Sequence, residues 1–183
     1  MITPEATITY PALFEPKENL SGHLKYSCSL LIPKSDKKGI AKLEAAIEKA
    51  KQKGKTAKWN NKIPHFNYEP LRDGDKELEN GQKEGNEYKG MMFINCSANE
   101  DSPPGVVDCY GEKLLDKQAI YSGCVVRADV RPYPYKSGGN CGIAWWLNNI
   151  MLVDDGPRLD GKQNAVDAFA DFTKNVEDED SLA

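Results

Sequence analysis

Hydrophobic and polar residues alternate along residues 24–32. The apolar side chains fall on one side and Lys25, Ser27 and Ser29 on the other, which predicts a half-buried β-strand. Three further segments, rich in apolar, β-branched or aromatic residues, predict shorter or less regular strands. They are residues 6–14, which Pro11 interrupts as in an edge or bulged strand, residues 91–96 and residues 106–110.

Residues 124–135 alternate in the same way and lead into a turn-forming segment, KSGGN. The even positions are small and apolar, whereas the odd positions include Arg127, Arg131, Tyr133 and Tyr135. A period of two therefore places both arginines and both tyrosines on the side of the strand opposite the apolar residues.

A second strand is predicted across that turn, over residues 141–153, with an interruption at Asn148 and Asn149. The glycine pair between the two segments is typical of a hairpin. Trp145 and Trp146 are neighbours in the second strand, and neighbouring side chains of a strand point to opposite faces. One tryptophan is expected in the core and the other on the surface, and the sequence leaves open which one.

A helix is predicted after Pro33, because apolar residues recur at intervals of three and four from residue 40 to residue 50. Ser35 or Asp36 can cap its start, and Gly54 predicts its end. A second, short helix is predicted over residues 163–174. Its inward-facing residues are expected to be Val166, Phe169 and Phe172.

Residues 55–90 are polar and rich in turn-forming residues, which predicts a long, functional or mobile loop. Several short strands with one well-formed helix favour a mainly β protein with helices, a small barrel or a sandwich. A doubly wound α/β sheet is disfavoured, because strands and helices do not alternate.

The charge is distributed unevenly, although the formal net charge is only −4. Residues 34–62 hold ten lysines against three acids, whereas residues 164–183 hold six acids and one lysine. A lysine-rich segment is often a solvated helix face, and an acidic end is often a solubilising one. The lysine-rich segment is nevertheless compatible with an anionic partner, although the net charge is negative.

Catalytic and metal-binding patterns are weak. The chain lacks the P-loop, the GxSxG and the HExxH motifs, and its two histidines are far apart in sequence. The acidic pairs Asp73 with Asp75 and Asp154 with Asp155 fit turns as well as they fit a metal site. Five cysteines without a CxxC pair predict reduced, strand-packing side chains. We expect no enzyme activity, no metal and no cofactor.

A binding surface for a single-stranded nucleic acid is the alternative to such chemistry. It needs cations along the phosphates and flat rings that stack on unpaired bases. Both are found on the odd positions of residues 124–135 and around the following turn. Equally, the tyrosines could cover a barrel end while the arginines pair with local acids such as Asp129.

Seven short motifs in order give the chain a family resemblance from about residue 7 to residue 172. They are ITYPALFEP, KYSCSLLIPKSD, PLRDGD, YKGMMFINCSA, YSGCVVRADVRPYPY, GIAWWLNNIMLVDDGPRLDGK and AVDAFADF. In this the chain resembles the bacteriophage single-stranded-DNA-binding proteins with an OB fold. The resemblance implies a five-stranded Greek-key barrel with one main helix and long loops. It also implies a non-enzymatic role in phage DNA replication or recombination.

The predicted organisation is a single-stranded-DNA-binding domain over residues 1–174 and a flexible acidic tail over residues 175–183. The tail resembles those that recruit replication or recombination proteins, although its Ser-Leu-Ala ending departs from aromatic-tipped tails. Its partner-binding residues would be Glu177, Asp178, Glu179 and Asp180. We expect a cytoplasmic protein of the infected or lysogenic bacterial host, since no segment has the apolar length of a membrane helix. The oligomeric state stays open, a homodimer included.

The predicted DNA contacts are of two kinds, stacking rings and phosphate-binding cations. Those on the hairpin are Arg127, Arg131, Tyr133, Tyr135, Lys136 and one residue of the pair Trp145 and Trp146. Those expected to close over the DNA from a mobile loop are Lys55, Lys58, Trp59 and Lys62. A metal-dependent phage nuclease or resolvase, a protein-interaction module and an RNA-binding protein are the alternatives.

Overall fold

The computed structural model describes residues 1–163 and 165–172, without the side chain of Asp167. Seven strands form one sheet. They are β1 (Ala6–Glu18), β2 (Leu24–Pro33), β3 (Arg72–Asp73), β4 (Met91–Asn99), β5 (Gly105–Val107), β6 (Val125–Ser137) and β7 (Asn140–Asp154). The helices are α1 (Lys37–Ala57), α2 (Gly74–Glu79) and α3 (Ala165–Ala168), with 3₁₀ turns at Asn86–Tyr88 and Ala170–Phe172.

Five of the strands pair in a closed ring. β1 is antiparallel to β2 and β6, β2 to β4, and β6 to β7. The ring closes where β4 runs parallel to β7, with Cys96 opposite Trp145 and Ser97 opposite Trp146. The ring order β1-β2-β4-β7-β6, with one parallel pair, is that of the five-stranded OB barrel. This confirms the predicted mainly β fold with one main helix.

The ring encloses one hydrophobic core. In β2 the even positions from Tyr26 to Ile32 point inward, as the alternation predicts. Leu24 is the exception, because it lies at the strand end and is 43 % exposed. The fully buried side chains around the ring include Ile8, Leu30, Ile94, Val126, Val130, Leu147 and Ile150. Each such aliphatic side chain contributes roughly 1.5–3 kcal/mol by leaving water.

Helix α1 covers one end of this core. The Asp36 carboxylate accepts a hydrogen bond from the Gly39 N–H at 2.9 Å, which confirms the predicted cap. The predicted stop at Gly54 is wrong, since the helix continues to Ala57. Gly54 is needed for space instead, because a Cβ there would lie 2.5 Å from the Trp59 ring and 2.6 Å from Pro134.

The β6–β7 hairpin is longer and more continuous than predicted. Gly138 and Gly139 have φ values of +56° and +82°, which a two-residue hairpin turn of type I′ requires. Asn148 does not interrupt β7, because a register shift absorbs one extra residue between Leu147 and Asn149.

The predicted strand at 106–110 ends early at Val107, because the Asp108 carboxylate accepts the N–H groups of residues 110 and 112 and forms a turn.

Residues 55–90 are not one long loop, since they contain the end of α1, β3, α2 and a 3₁₀ turn.

The predicted helix over residues 163–174 is wrong in its packing. It forms one α-helical turn and one 3₁₀ turn, and Val166, Phe169 and Phe172 are 61–83 % exposed. Two single turns cannot align three apolar side chains on one face, as a continuous helix would. The tail residues Glu177 to Asp180 lie outside the described residues.

Candidate nucleic-acid interface

The outward face of the ring is continuous across four strands. The strand registers place Ser27 of β2 opposite Ser97 of β4, Ser97 opposite Trp146 of β7, and Trp146 opposite Arg131 of β6. Paired residues of neighbouring strands point to the same side of a sheet. A floor of small polar side chains on β2 and β4 therefore continues into the aromatic and basic face of the hairpin.

A cavity of about 430 Å³ lies over this polar floor. Its lining combines hydroxyl and amide side chains with three lysines, one glutamate and one exposed tyrosine. The lining residues are Tyr10, Lys17, Glu18, Asn19, Lys25, Ser27, Cys28, Ser29, Lys83, Asn95, Cys96 and Ser97. The Ser29 hydroxyl donates to the Asn95 side-chain oxygen at 2.6 Å, so the amide N–H groups of Asn95 are directed to other acceptors.

A second cavity, of about 450 Å³, adjoins the first at Asn95. It lies between the β1–β2 turn and the β6–β7 hairpin. Its lining residues are Leu20, Tyr68, Glu69, Pro70, Arg72, Asn95, Tyr135, Ile143, Ala144 and Trp145. We refer to the two cavities together as the groove. In OB barrels the second and third strands, with the loops after the first and fourth, receive oligonucleotides, and the groove occupies that position.

Two lysines of the groove face each other. Lys17 of β1 is directly opposite Lys25 of β2, and both line the first cavity. Like charges directly opposite across two strands are destabilising, and an anion bound between them would relieve the repulsion. The Lys25 ammonium donates to the Asn99 side-chain oxygen of β4 at 3.2 Å, on the side of β2 away from Lys17.

Lys83 and Tyr10 form the rim of the first cavity. The Lys83 ammonium lies 5.1 Å from the Tyr88 ring centroid and 6.0 Å from that of Tyr10. Burial lowers the pKa of Lys83, with the nearby Arg72 as a smaller cause. Tyr10 is 62 % exposed and has a φ of +50°, a left-handed conformation that costs energy for any side chain except glycine. Its ring is thus held out over the groove by a bulge in β1.

Arg72 fixes the aromatic side of the second cavity. Its guanidinium forms a two-point ion pair with Glu77, at 2.6 and 2.8 Å, and lies over the rings of Phe93 and Tyr68 at 5.0 and 5.8 Å. Tyr68 is 67 % exposed, so one face of its ring is open to a ligand. This gives the groove a second tyrosine platform on a rigid support.

The hairpin residues of the predicted face are brought together as expected. Tyr133 packs edge-on against Trp146, with ring centroids 6.4 Å apart. Burial raises the pKa of Tyr133, as does the neighbouring Tyr135. Tyr135 lines the second cavity and so links this face to the groove. Arg131 is exposed, and among the described residues no ion pair holds it.

Two other hairpin cations are placed less favourably. Arg127 forms an ion pair with Glu5 at 2.8 Å, so the alternative that an arginine pairs with a local acid holds for Arg127, although its partner is not Asp129. Asp129 instead accepts from the N-terminal ammonium and from Asn149. Lys136 is opposite Cys141, on the face of the hairpin that packs towards α1, and does not share the face of Tyr135.

Trp145 and Trp59 are buried, which confirms that one tryptophan of the adjacent pair is in the core and corrects the prediction that Trp59 contacts DNA. Trp145 is 2 % exposed and its indole N–H donates to the Pro70 carbonyl at 2.8 Å. Trp59 is 5 % exposed, packs on Phe66 and donates to the Tyr135 carbonyl at 3.2 Å. Neither ring has a face available for a base. Of the adjacent pair, Trp146 is the outward residue, and Trp59 supports the hairpin from beneath.

The predicted closing loop is also corrected. Lys55 lies in the last turn of α1, Lys58 is the residue after that helix, and Lys62 follows in a turn. They lie on the α1 side of the hairpin and line neither cavity of the groove.

The acidic pairs weighed as metal ligands make other contacts. The Asp154 carboxylate accepts the Asp155 backbone N–H at 2.9 Å. Asp73 and Asp75 both bind the Lys34 ammonium, at 2.6 and 2.7 Å, and the Asp73 carboxylate caps α2. The lysine lowers the pKa of Asp75, and it lowers that of Asp73 against the opposing effect of burial. Within residues 1–163 and 165–172, no three His, Cys, Asp or Glu side chains are grouped so that they could hold a metal ion. No described helix is long and apolar enough to cross a membrane.

Sequence reasoning missed Tyr10, Lys17, Tyr68 and Lys83 as groove residues. Lys25 and the serines of β2 were predicted only as the polar side of a strand, although that periodicity indicates that they point outward. Tyr10 lies in a bulge, Lys17 in the part of β1 beyond the predicted strand, and Tyr68 and Lys83 in irregular segments, where no periodicity indicates which way a side chain points.

The fold and this groove define an OB-type barrel with a cationic, tyrosine-lined face. The chain belongs to the family of the Enterobacter phage Enc34 ssDNA-binding protein, whose model matches residues 1–182. It is also 32 % identical to the putative protein p50 of Acyrthosiphon pisum secondary endosymbiont phage 1, over 94 % of this chain and 93 % of that protein.

Several solved structures share the fold, including two from different phages. The single-stranded DNA-binding protein from bacteriophage Enc34, in complex with ssDNA, matches with a TM-score of 0.73 and 24 % identity, covering 86 % of this chain and 88 % of that one. Bacteriophage T7 gp2.5, a single-stranded DNA-binding protein, matches with a TM-score of 0.56 and 18 % identity, covering 96 % and 95 %. At these identities the likeness concerns the fold.

Proposed function

We propose that the chain binds single-stranded DNA in the groove, without sequence preference and without enzymatic activity, during phage DNA replication or recombination in the bacterial host. The observation that carries this proposal is the pair Lys17 and Lys25. Two lysines at paired positions of neighbouring strands, beside a polar floor and exposed tyrosines, form a surface that a polyanion with flat bases would complement. Membership of the Enc34 family supports the same ligand.

In this proposal the DNA phosphates contact Lys17, Lys25 and Lys83, while unpaired bases stack on Tyr10 and Tyr68. Stacking contributes about 1–3 kcal/mol per base and tolerates any sequence. The path then continues over Tyr135 to Tyr133, Trp146 and Arg131 on the hairpin. Lys55, Lys58, Lys62 and Lys136 would act on the other side of the hairpin, as general electrostatic attraction rather than as contacts in the groove.

The acidic residues Glu177 to Asp180 are proposed to compete with DNA for the groove and to recruit replication or recombination proteins. A carboxylate-rich segment would meet the same facing lysines that phosphates meet. A homodimer is compatible with this role and is not needed for it.

Titration of fluorescent oligo-dT against the full chain at several salt concentrations tests the proposal. Four phosphate contacts, from Lys17, Lys25, Lys83 and Arg131, predict a slope of log affinity against log salt of about −3, since each neutralised phosphate contributes about −0.7. Duplex DNA of equal length should bind more weakly, because its bases are not open to the tyrosines. Removal of residues 177–183 should tighten binding at low salt only. Binding that is insensitive to salt, or equal for duplex and single strand, would contradict the proposal.

A further inference from the structure

A third cavity, of about 660 Å³, lies beside the groove. It is formed by β1, the segment before β6 and the segment that follows β7. Its lining is mostly polar and includes three cations. The lining residues are Pro11, Lys17, Gln118, Ile120, Tyr121, Ser122, Arg158, Asp160, Lys162, Gln163 and Ala165. Of the DNA contacts proposed above, only Lys17 lies in it.

The third cavity is joined to the groove at two points. Lys17 lines both the first and the third cavity. The backbone N–H of Tyr10, whose side chain lines the first cavity, donates to the Ser122 hydroxyl of the third at 2.9 Å. A chain of phosphates that reaches Lys17 in the groove therefore has a direct continuation past Ser122.

Arg158 is held rigidly in this cavity. Its guanidinium stacks on the Tyr121 ring at 4.2 Å, and the Tyr121 hydroxyl donates to the Gly156 carbonyl at 2.9 Å. Asp160 accepts two of its N–H groups, at 2.7 and 3.1 Å, and this ion pair lowers the pKa of Asp160 to about 2. A guanidinium has five N–H donors, so three remain for a further acceptor.

The net charge of the lining favours an anion. Lys17, Arg158 and Lys162 carry three positive charges against the single carboxylate of Asp160. Lys162 is exposed, and its backbone N–H donates to Asp160 at 3.1 Å, which ties its segment to the ion pair. The amides of Gln118 and Gln163 and the hydroxyl of Ser122 add neutral donors.

We infer that the third cavity is a further phosphate-binding site, at which Arg158 and Lys162 hold the sugar–phosphate backbone of a DNA strand that leaves the groove past Lys17. The inference rests on the proposed function and extends it. It assigns the site to the backbone and not to bases, because the one aromatic ring of the cavity, that of Tyr121, is half-buried and covered by Arg158.

The test compares wild-type protein with the double variant Arg158→Gln/Lys162→Gln on oligo-dT of increasing length. Short oligomers that fill only the groove should bind both proteins equally. Longer oligomers should bind the variant about 25-fold more weakly at 0.1 M salt, and the salt slope should be flatter by about 1.4, as expected for two lost phosphate contacts. Lys76→Gln/Lys113→Gln removes the same charge from exposed positions that line none of the three cavities, and it should match wild type at every length.

Lys162→Glu serves as a second variant, because it changes one exposed side chain and leaves the Arg158 stack intact. It should also weaken only the longer oligomers. Equal affinities of wild type and both variants at all lengths would overturn the inference while leaving the groove as the binding site. If the variants instead bind long oligomers more tightly than wild type does, and this gain is lost when residues 177–183 are removed, the cavity binds the chain's own carboxylates. That result would also overturn the inference. Failure of wild type to bind oligo-dT of any length would instead reject the proposed function.

Discussion

The groove and the outer face of the β6–β7 hairpin carry the same kinds of side chain but in different states. In the groove, Lys17 and Lys25 face each other and the ring of Tyr10 is exposed. On the hairpin, Arg127 is neutralised by Glu5, and Tyr133 packs on Trp146. Cations and rings therefore do not by themselves make a binding site. The groove differs in being concave and in having two paired lysines that no described ion pair neutralises, whereas the hairpin face has only Arg131 in that state.

The largest effect is expected from Lys17→Glu/Lys25→Glu. The double variant changes the charge of the groove by four units, and each unit is worth about fivefold in affinity at 0.1 M salt, so a loss on the order of several hundredfold is predicted. Oligo-dT titration by fluorescence measures it. Lys76→Glu/Lys113→Glu is the matched control with the same change in net charge. Equal losses in the two double variants would mean that position in the groove is unimportant.

The single variant Lys17→Glu tests whether the Lys17–Lys25 pair lowers stability while it favours DNA binding. It replaces a repulsive pair with an attractive one opposite Lys25, so we expect a gain in stability of about 0.2–1 kcal/mol together with weaker DNA binding. Thermal unfolding and titration of one sample measure both quantities.

Stacking in the groove is expected to give an intermediate effect. Tyr10→Ala removes the exposed ring and should weaken binding by roughly 5- to 150-fold, the equivalent of about 1–3 kcal/mol, without changing the salt slope. Tyr10→Gly should weaken binding equally but be more stable than Tyr10→Ala by about 1 kcal/mol, because glycine adopts the positive φ without strain. Tyr133→Ala, on the hairpin, should lose less affinity than either. A larger loss for Tyr133→Ala would move the main stacking site to the hairpin.

The smallest effect is expected on the hairpin cations. Arg131→Gln should reduce affinity by about fivefold at 0.1 M salt and flatten the salt slope by about 0.7, as for one phosphate contact. Arg127→Gln/Glu5→Gln removes a whole ion pair without changing the net charge and should leave both quantities unchanged. Identical behaviour of the two variants would show that the ion pair with Glu5 opens when DNA binds.

Periodicity was a good guide wherever a strand is regular. The alternation in β2 and β6 predicted which side chains point outward, and Asp36 was found as a helix cap from its position before an apolar repeat. The prediction that α1 ends at Gly54 was wrong, because a glycine near the end of a helix is typical of a stop. Here the glycine is needed to make room for the Trp59 ring. The prediction that Trp59 contacts DNA was also wrong. A tryptophan among lysines in a polar segment is typical of a binding residue, and only the tertiary structure shows that this one is buried.

The amino-acid sequence alone determined the strand faces, the helix start and the hairpin turn, because these depend on local spacing and on backbone preferences of residues close together in the chain. The groove was decided by tertiary structure. Closure of the ring brings β4 beside β7, the β1–β2 register sets Lys17 against Lys25, and the bulge at Tyr10 turns its ring outward. These placements depend on pairings between residues distant in sequence, whose registers are set by packing of the whole core.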